Sequence, residues 1–255
     1  MEEKRDRYPR KEKKDVIFGV HPVIEAIKSG QELNKILIQK GIDKEHFREL
    51  KEILAGKDYN IQYVPVQKLN KLTSGNHQGV IAFVTPIEYQ NIESLVDKWV
   101  EKEQKVNILI LDRITDVRNF GAIARSAECQ GVDAILIPSR GSALVSSDAV
   151  RTSSGALSRI PVCKTDDLKN SLFYIQQCGI RLIACTEKSS LPLQDINLRG
   201  SVGIIMGSEE NGITSDLINL SDVRAKIPMH GKIQSLNVSV ATGIILYEKM
   251  RQEDA

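Results

Sequence analysis

Val106–Leu111 (VNILIL) places five apolar side chains in six positions between Lys105 and Asp112. A strand with one wet face alternates apolar and polar residues, so a run this continuous belongs to a strand covered on both faces. Similar runs recur at Ala134–Ile137, Ile180–Cys185 and Val202–Met206, and Val223–Ile227 reads as a last strand. Helical patterns separate the first of them, at Asn119–Gln130 and near Asp167–Gln177. Phe120, Ile123, Ala124 and Ala127 form the apolar stripe of the Asn119 helix, at spacings of three and four. Apolar strands alternating with helices predict an α/β fold with a mostly parallel sheet and helices on both sides.

A smaller block precedes this one. Lys35–Gln39, Ile61–Val64 and Gly79–Val84 read as strands, and Asp43–Leu54 and Val66–Leu72 as helices. The expected organisation is a disordered basic tail over 1–15, a small α/β domain over 16–86, a linker with a connecting helix over 87–104, and a larger domain over 105–255. Residues 1–14 carry seven Lys/Arg against four Asp/Glu, and residues 16–86 carry nine against seven. That bias at the N-terminal end suits an anionic partner, and it equally describes an ordinary solvated surface.

Other classes are excluded. No apolar run reaches the roughly 18–20 residues of a membrane span, and the charged start lacks the apolar core of a signal peptide. Cys129, Cys163, Cys178 and Cys185 form no CxxC pair and lie in or beside apolar runs, so reduced, buried thiols of a cytoplasmic protein are expected, without zinc. His21, His46, His77 and His230 lack metal-ligand spacing. GxGxxG and GxxxxGK[ST] are both absent.

In open α/β sheets, ligands sit beyond the carboxyl ends of the strands. Three such ends carry unusual residues. In Leu111–Ser126 (LDRITDVRNFGAIARS), Asn119 can cap the helix and Arg125 lies off the apolar stripe, as a solvent-facing arginine also would. In Met206–Ile213 (MGSEENGI), glycines 207 and 212 permit tight backbone geometry and close approach of a ligand. Glu209 and Glu210 there are either exposed loop charges or one functional carboxylate beside a neighbour. The third is Ile227–Glu248 (IPMHGKIQSLNVSVATGIILYE), a polar mouth running into a helix apolar nearly all round. Such a helix should be buried on most sides. Ser235, Asn237 and Ser239 at its start are natural caps and equally the rim of a ligand site.

Together these segments resemble the three motifs of the SpoU/TrmH family of RNA ribose 2′-O-methyltransferases, in the SPOUT superfamily. The matching residues are Asn119, Gly121 and Arg125; Gly207 and Glu209; and Ser235, Leu236, Asn237, Ser239 and Ala241. Gly19–Ala26 (GVHPVIEA) and His77–Val80 (HQGV) resemble the substrate-binding domain of the bacterial 23S rRNA guanosine-2′-O-methyltransferase subgroup. Two positions depart from the usual pattern: Val117 follows Asp116 where proline is common, and Glu210 follows Glu209 where glycine is common. Both shape loops.

The resemblance implies a C-terminal domain tied in a deep trefoil knot, against the general rule for chain threading. It implies S-adenosylmethionine as methyl donor, S-adenosylhomocysteine as product, and no metal. Gly207, Ile227, Met229, Leu236 and Asn237 would bind the cofactor. Arg125, Asn119, Glu209, Ser235 and Asn237 would serve catalysis. The implied partners are RNA, with a guanosine of 23S rRNA as target, and a second copy of the chain in a homodimer; no membrane is involved. The rival readings are the same reaction on tRNA or on another rRNA nucleotide, and a non-catalytic knotted protein that only binds RNA.

Overall fold

The computed structural model describes residues 15–42, 44–55, 59–232 and 235–254. The expected tail, residues 1–14, and the expected helix start at Asp43 lie outside them. The chain divides into two compact units, Met1–Thr85 and Pro86–Ala255.

The first unit contains β1 (Val16–Phe18), α1 (Val20–Lys28), β2 (Leu33–Gln39), α2 (Lys44–Leu54), β3 (Ile61–Val64), α3 (Val66–Asn70) and β4 (Val80–Val84). Its four-stranded sheet has the order β1-β4-β2-β3, with β2 and β3 parallel and the other pairs antiparallel. One face packs on α1 and α2 through Val23, Ile24, Ile27, Phe47 and Leu50. The other carries a smaller core of Leu37, Val64, Leu69 and Ile81. Sequence periodicity did not reveal β1 or α1. The Gly19 turn between them (φ 98°) leaves β1 only three residues long, too short for alternation to register.

The second unit contains α4 (Ile92–Glu101), β5 (Asn107–Asp112), α5 (Val117–Cys129), β6 (Ala134–Pro138), α6 (Ser147–Thr152), β7 (Val162–Thr165), α7 (Leu168–Gln177), β8 (Arg181–Cys185), β9 (Val202–Gly207), α8 (Ser215–Leu220), β10 (Val223–Ala225) and α9 (Val238–Asp254). Six strands in the order β10-β8-β9-β5-β6-β7 pair in parallel throughout. Central β5 shows why its sequence is continuously apolar. Leu109 and Leu111 enter the core beneath α5 and α9, while Ile108 and Ile110 enter the core beneath α4, α7 and α8. Each fully buried side chain of this kind contributes about 1.5–3 kcal/mol.

Three expectations need correction. The helix expected to link the two blocks, α4, instead packs its Ile92 and Val96 into the second unit's own core. The last helix is not buried on most sides. Thr242, Ile245 and Leu246 face inward, whereas Val240, Ile244 and Tyr247 are 50%, 39% and 54% exposed along one face. Of the four free thiols, only Cys163 is fully buried, and Cys129 is exposed. Burial pushes the Cys163 and Cys185 thiols up to about 12, which keeps them unreactive at neutral pH.

Candidate active site

The carboxyl ends of β8, β9 and β10 open into a cleft of about 740 Å³. Its size lies within the range of small-ligand sites. Gly207, Glu209, Ile227, Met229, Ser235, Leu236 and Asn237 all line it, whereas Asn119 and Arg125 do not. Leu193, Met206, Ala225, Ala241 and Ile245 add an apolar wall.

Beside the cleft, three separate segments converge on one carboxylate. Glu209 Oε1 accepts hydrogen bonds from Asn237 Nδ2 at 2.7 Å, Asn119 Nδ2 at 3.1 Å and the Val238 N–H at 3.3 Å. Asn237 Nδ2 also donates to Asn119 Oδ1 at 3.0 Å, so both hydrogens of that amide are engaged. Asn237 is at the same time the cap of α9. Its Oδ1 accepts from the Ser239 N–H at 2.9 Å and the Ser239 hydroxyl at 2.6 Å. Capping and cluster formation use opposite ends of one amide.

Asn119 does not cap α5. Asp116 does, accepting from the N–H groups of Arg118 and Asn119 at 2.8 Å each. That leaves the Asn119 side chain free to reach Glu209. Val117 occupies the first helical position, where proline is well tolerated but not required. Arg125, six residues further along α5, stands apart by about 9 Å of helix rise. It is exposed and has no hydrogen-bond or ion-pair partner among the described residues. Ser235 is likewise exposed and without a partner among them.

Gly207 lines the cleft and has the tight backbone geometry expected of it. A Cβ there would lie 2.1 Å from the Gly212 carbonyl carbon and 2.2 Å from the Ile213 nitrogen, because the loop folds back on itself. The Gly212 N–H donates to the Ser208 carbonyl at 2.9 Å, closing the turn that presents Glu209. Gly121 is also a packing glycine: a Cβ would meet Thr152 Cβ at 2.7 Å, where α6 lies against α5.

Sequence reasoning missed Asp112. This carboxylate, 4% exposed at the end of β5, accepts the Thr214 N–H and hydroxyl at 2.6 Å each, and Arg113 Nε at 3.1 Å. Arg113 Nη2 donates in turn to the Gly212 carbonyl at 3.2 Å. The loop bearing Glu209 is therefore pinned at its far end. A carboxylate closing an otherwise apolar strand was the available signal. Thr186, Glu187 and Lys188 after β8 also line the cleft and were not singled out, although they too follow a strand end. The described residues contain no group of His, Cys, Asp and Glu able to hold a metal.

A parallel sheet whose strand ends open into a ligand-sized cleft with one apolar wall, beside a converging polar cluster, has the architecture of an α/β domain with a small-ligand site, here joined to a separate smaller domain. Residues 106–247 match the SpoU rRNA Methylase family, and residues 16–90 match the RNA 2′-O ribose methyltransferase substrate binding family. Over 237 residues the chain is 35% identical to a Staphylococcus epidermidis protein assigned to the TrmH family of tRNA/rRNA methyltransferases, covering 93% of this chain and 95% of that one. The crystal structure of an RNA 2′-O ribose methyltransferase aligns with TM-score 0.54 at 27% identity, over 93% of this chain and 88% of that one. An AdoMet-bound rRNA methyltransferase from Sinorhizobium meliloti shares the fold, with TM-score 0.60 at 22% identity over 93% and 87%. The chain belongs to the SpoU/TrmH family of RNA methyltransferases.

Proposed function

We propose that the protein methylates a ribose 2′-hydroxyl of RNA with S-adenosylmethionine as donor, and that its target is a guanosine of 23S rRNA. The observation that carries this reading is the junction of Asn119, Glu209 and Asn237 beside the cleft. The cleft fits such a donor: apolar Leu193, Ile227 and Leu236 suit an adenine, and Glu187, Glu209 and Glu210 complement a cation. Gly207, Ile227, Met229, Leu236 and Asn237 would hold it. When bound, the donor supplies an electrophilic methyl group and leaves as S-adenosylhomocysteine.

Methyl transfer is a displacement in which positioning supplies much of the acceleration. Arginine stays protonated in proteins, so Arg125 is not the base. It binds the target phosphate through its planar fork and stabilises the negative charge on the 2′-oxygen as that oxygen loses its proton to water and takes the methyl group. Asn119, Glu209 and Asn237 orient the reacting groups, and the Ser235 hydroxyl assists at the cleft mouth.

Support for an rRNA target comes from the N-terminal motifs and from the match of residues 106–247 to the SpoU rRNA Methylase family. The name of the S. epidermidis relative spans both tRNA and rRNA, which keeps methylation of tRNA or another rRNA nucleotide as the second reading. Calorimetry with S-adenosylmethionine tests the donor. Mapping 2′-O-methyl groups in rRNA and tRNA, from a strain lacking the gene and its complemented counterpart, tests the target. The expected result is binding heat and one lost, restorable methyl on a 23S guanosine. A lost tRNA methyl instead would move the substrate, and absence of heat would leave only an RNA-binding role.

We also infer a cytoplasmic homodimer with a knotted second unit. The exposed stripe of Val240, Ile244 and Tyr247 on α9 supports self-association; sedimentation as a monomer at micromolar concentration would remove it. The knot is carried over from the family whose model matches residues 106–247. A crystal structure whose backbone pulls straight from its ends would remove that.

A further inference from the structure

The first unit's sheet is covered unequally. On the face opposite α1 and α2, the register aligns Val16, Phe83 and Lys35 across β1, β4 and β2. The next row along the same face is Phe18, Ile81, Leu37 and Gln62. Short α3 covers this second row: its Leu69 is fully buried among Leu37, Val64 and Ile81. The first row is left partly open. Val16, Phe83 and Lys35 are each half-buried, and Lys68 projects exposed from α3 close enough to be felt by Lys35.

The two lysines share a position that the protein itself does not compensate. Neither has a hydrogen-bond or ion-pair partner among the described residues. Burial and the Lys68 charge both press the Lys35 ammonium below its usual range, and no carboxylate among the described residues opposes them. Like charges held together beside an apolar surface cost free energy until an anion arrives. In the register Phe83 stands between Lys35 and Val16, with neighbouring backbones about 5 Å apart by strand spacing. A half-buried aromatic side chain with one uncompensated lysine beside it in the register and a second on the adjoining helix matches two needs of a single nucleic-acid strand. Bases stack on the ring, and phosphates take the charge.

We propose that a single-stranded segment of the RNA substrate lies across this open row, with a base on Phe83 and its phosphates against Lys35 and Lys68. The proposal rests on the RNA methyltransferase reading and assigns that protein's N-terminal unit a defined RNA surface. Charge selects the occupant: an apolar partner alone would leave both ammonium groups uncompensated.

The test uses the full-length chain, its rRNA substrate fragment and three measurements: RNA affinity as a function of salt, S-adenosylmethionine binding heat, and unfolding temperature. Lys35→Gln/Lys68→Gln should weaken RNA binding and lower the slope of log affinity against log salt by about 1.4, two single-strand phosphate contacts. Phe83→Leu keeps the apolar packing and removes the stacking plane, so RNA affinity should fall about tenfold. Heat with S-adenosylmethionine should stay as in the parent for both variants. Unchanged RNA affinity and salt slope in the lysine double variant, with unfolding temperature intact, would overturn the proposal. So would loss of self-association in Phe83→Leu on sedimentation, which would give the face to a second copy. Failure of the methyltransferase reading is distinguishable, because the unsubstituted protein would then show no binding heat or methylation.

Discussion

Helix α9 meets polar chemistry at both ends, and the two ends differ in what they leave open. At its head, Asn237 and the Val238 N–H hold Glu209, and all the side chains involved are at least partly exposed beside the cleft. Ser235 beside it, and Arg125 about 9 Å beyond Asn119 along α5, have no partner among the described residues. At its tail, Lys249 is buried to 6% exposure against Glu253 at 2.6 Å, and Glu253 also accepts from the Gly200 N–H and Lys105. Gln252 donates to the Ile196 carbonyl and accepts from the Leu198 N–H. The tail is satisfied by the protein itself; the head keeps donors for something else. A polar cluster works as a site when its members face a cleft with bonding capacity to spare, and as a fastening when every partner is internal.

The sharpest way to break this contrast is at Arg125. Arg125→Lys keeps the charge and loses the fork, so methylation should fall by about 10²–10³, the usual effect of removing one oxyanion-stabilising donor. Binding heat with S-adenosylmethionine and the unfolding temperature should not move, since Arg125 has no partner among the described residues to lose. Full methylation by the variant would show that only a positive charge is needed and would remove the fork from the mechanism.

The tail should respond in the opposite sense. Gln252→Ala strands the Leu198 N–H and the Ile196 carbonyl, on residues 0% and 9% exposed. Unsatisfied buried groups of this kind cost about 1–3 kcal/mol each. The denaturant midpoint should therefore drop clearly, while turnover per folded molecule stays near that of the parent. An unchanged midpoint would mean that water replaces the amide and that the fastening is idle.

The same contrast explains what could be read in the sequence. The continuous apolar runs of β5, β6, β8 and β9 announced a sheet buried on both faces, because that environment requires such runs. Stripe residues Phe120, Ile123, Ala124 and Ala127 are all 0% exposed for the same reason. Asn119, Glu209 and Asn237 stood out as polar residues at strand ends, yet their convergence depends on separations of 90, 118 and 28 residues that no local pattern encodes. Apolarity alone also misjudged α9: Val240, Ile244 and Tyr247 read as core because nothing in their spacing says which protein surface will meet them. The tail went unread altogether, since a lysine, a glutamine and a glutamate ending a helix look like ordinary solvated residues.

Acid offers the smallest but most selective test of the tail. Hydrogen bonding to Lys249, supported by the Gly200 N–H, holds the Glu253 carboxyl down to about 2, against an ordinary 4.5. Glu248 is held down to about 2 chiefly by its hydrogen bond to Arg251. A carboxyl whose folded value lies below its unfolded one adds stability above the unfolded value, and that increment is lost as pH falls towards the folded value. The window thus runs from about 4.5 down to about 2. Asp133 acts the other way, because burial raises its carboxyl and protonation relieves it. Partial exposure limits the Glu253 contribution to at most about 1 kcal/mol. Urea midpoints at pH 3 should fall further below those at pH 6 in the parent than in Glu253→Gln, which has no carboxylate left to protonate there. Equal falls in both proteins would take Glu253 out of the fastening and leave Gln252 as the polar anchor of the α9 tail.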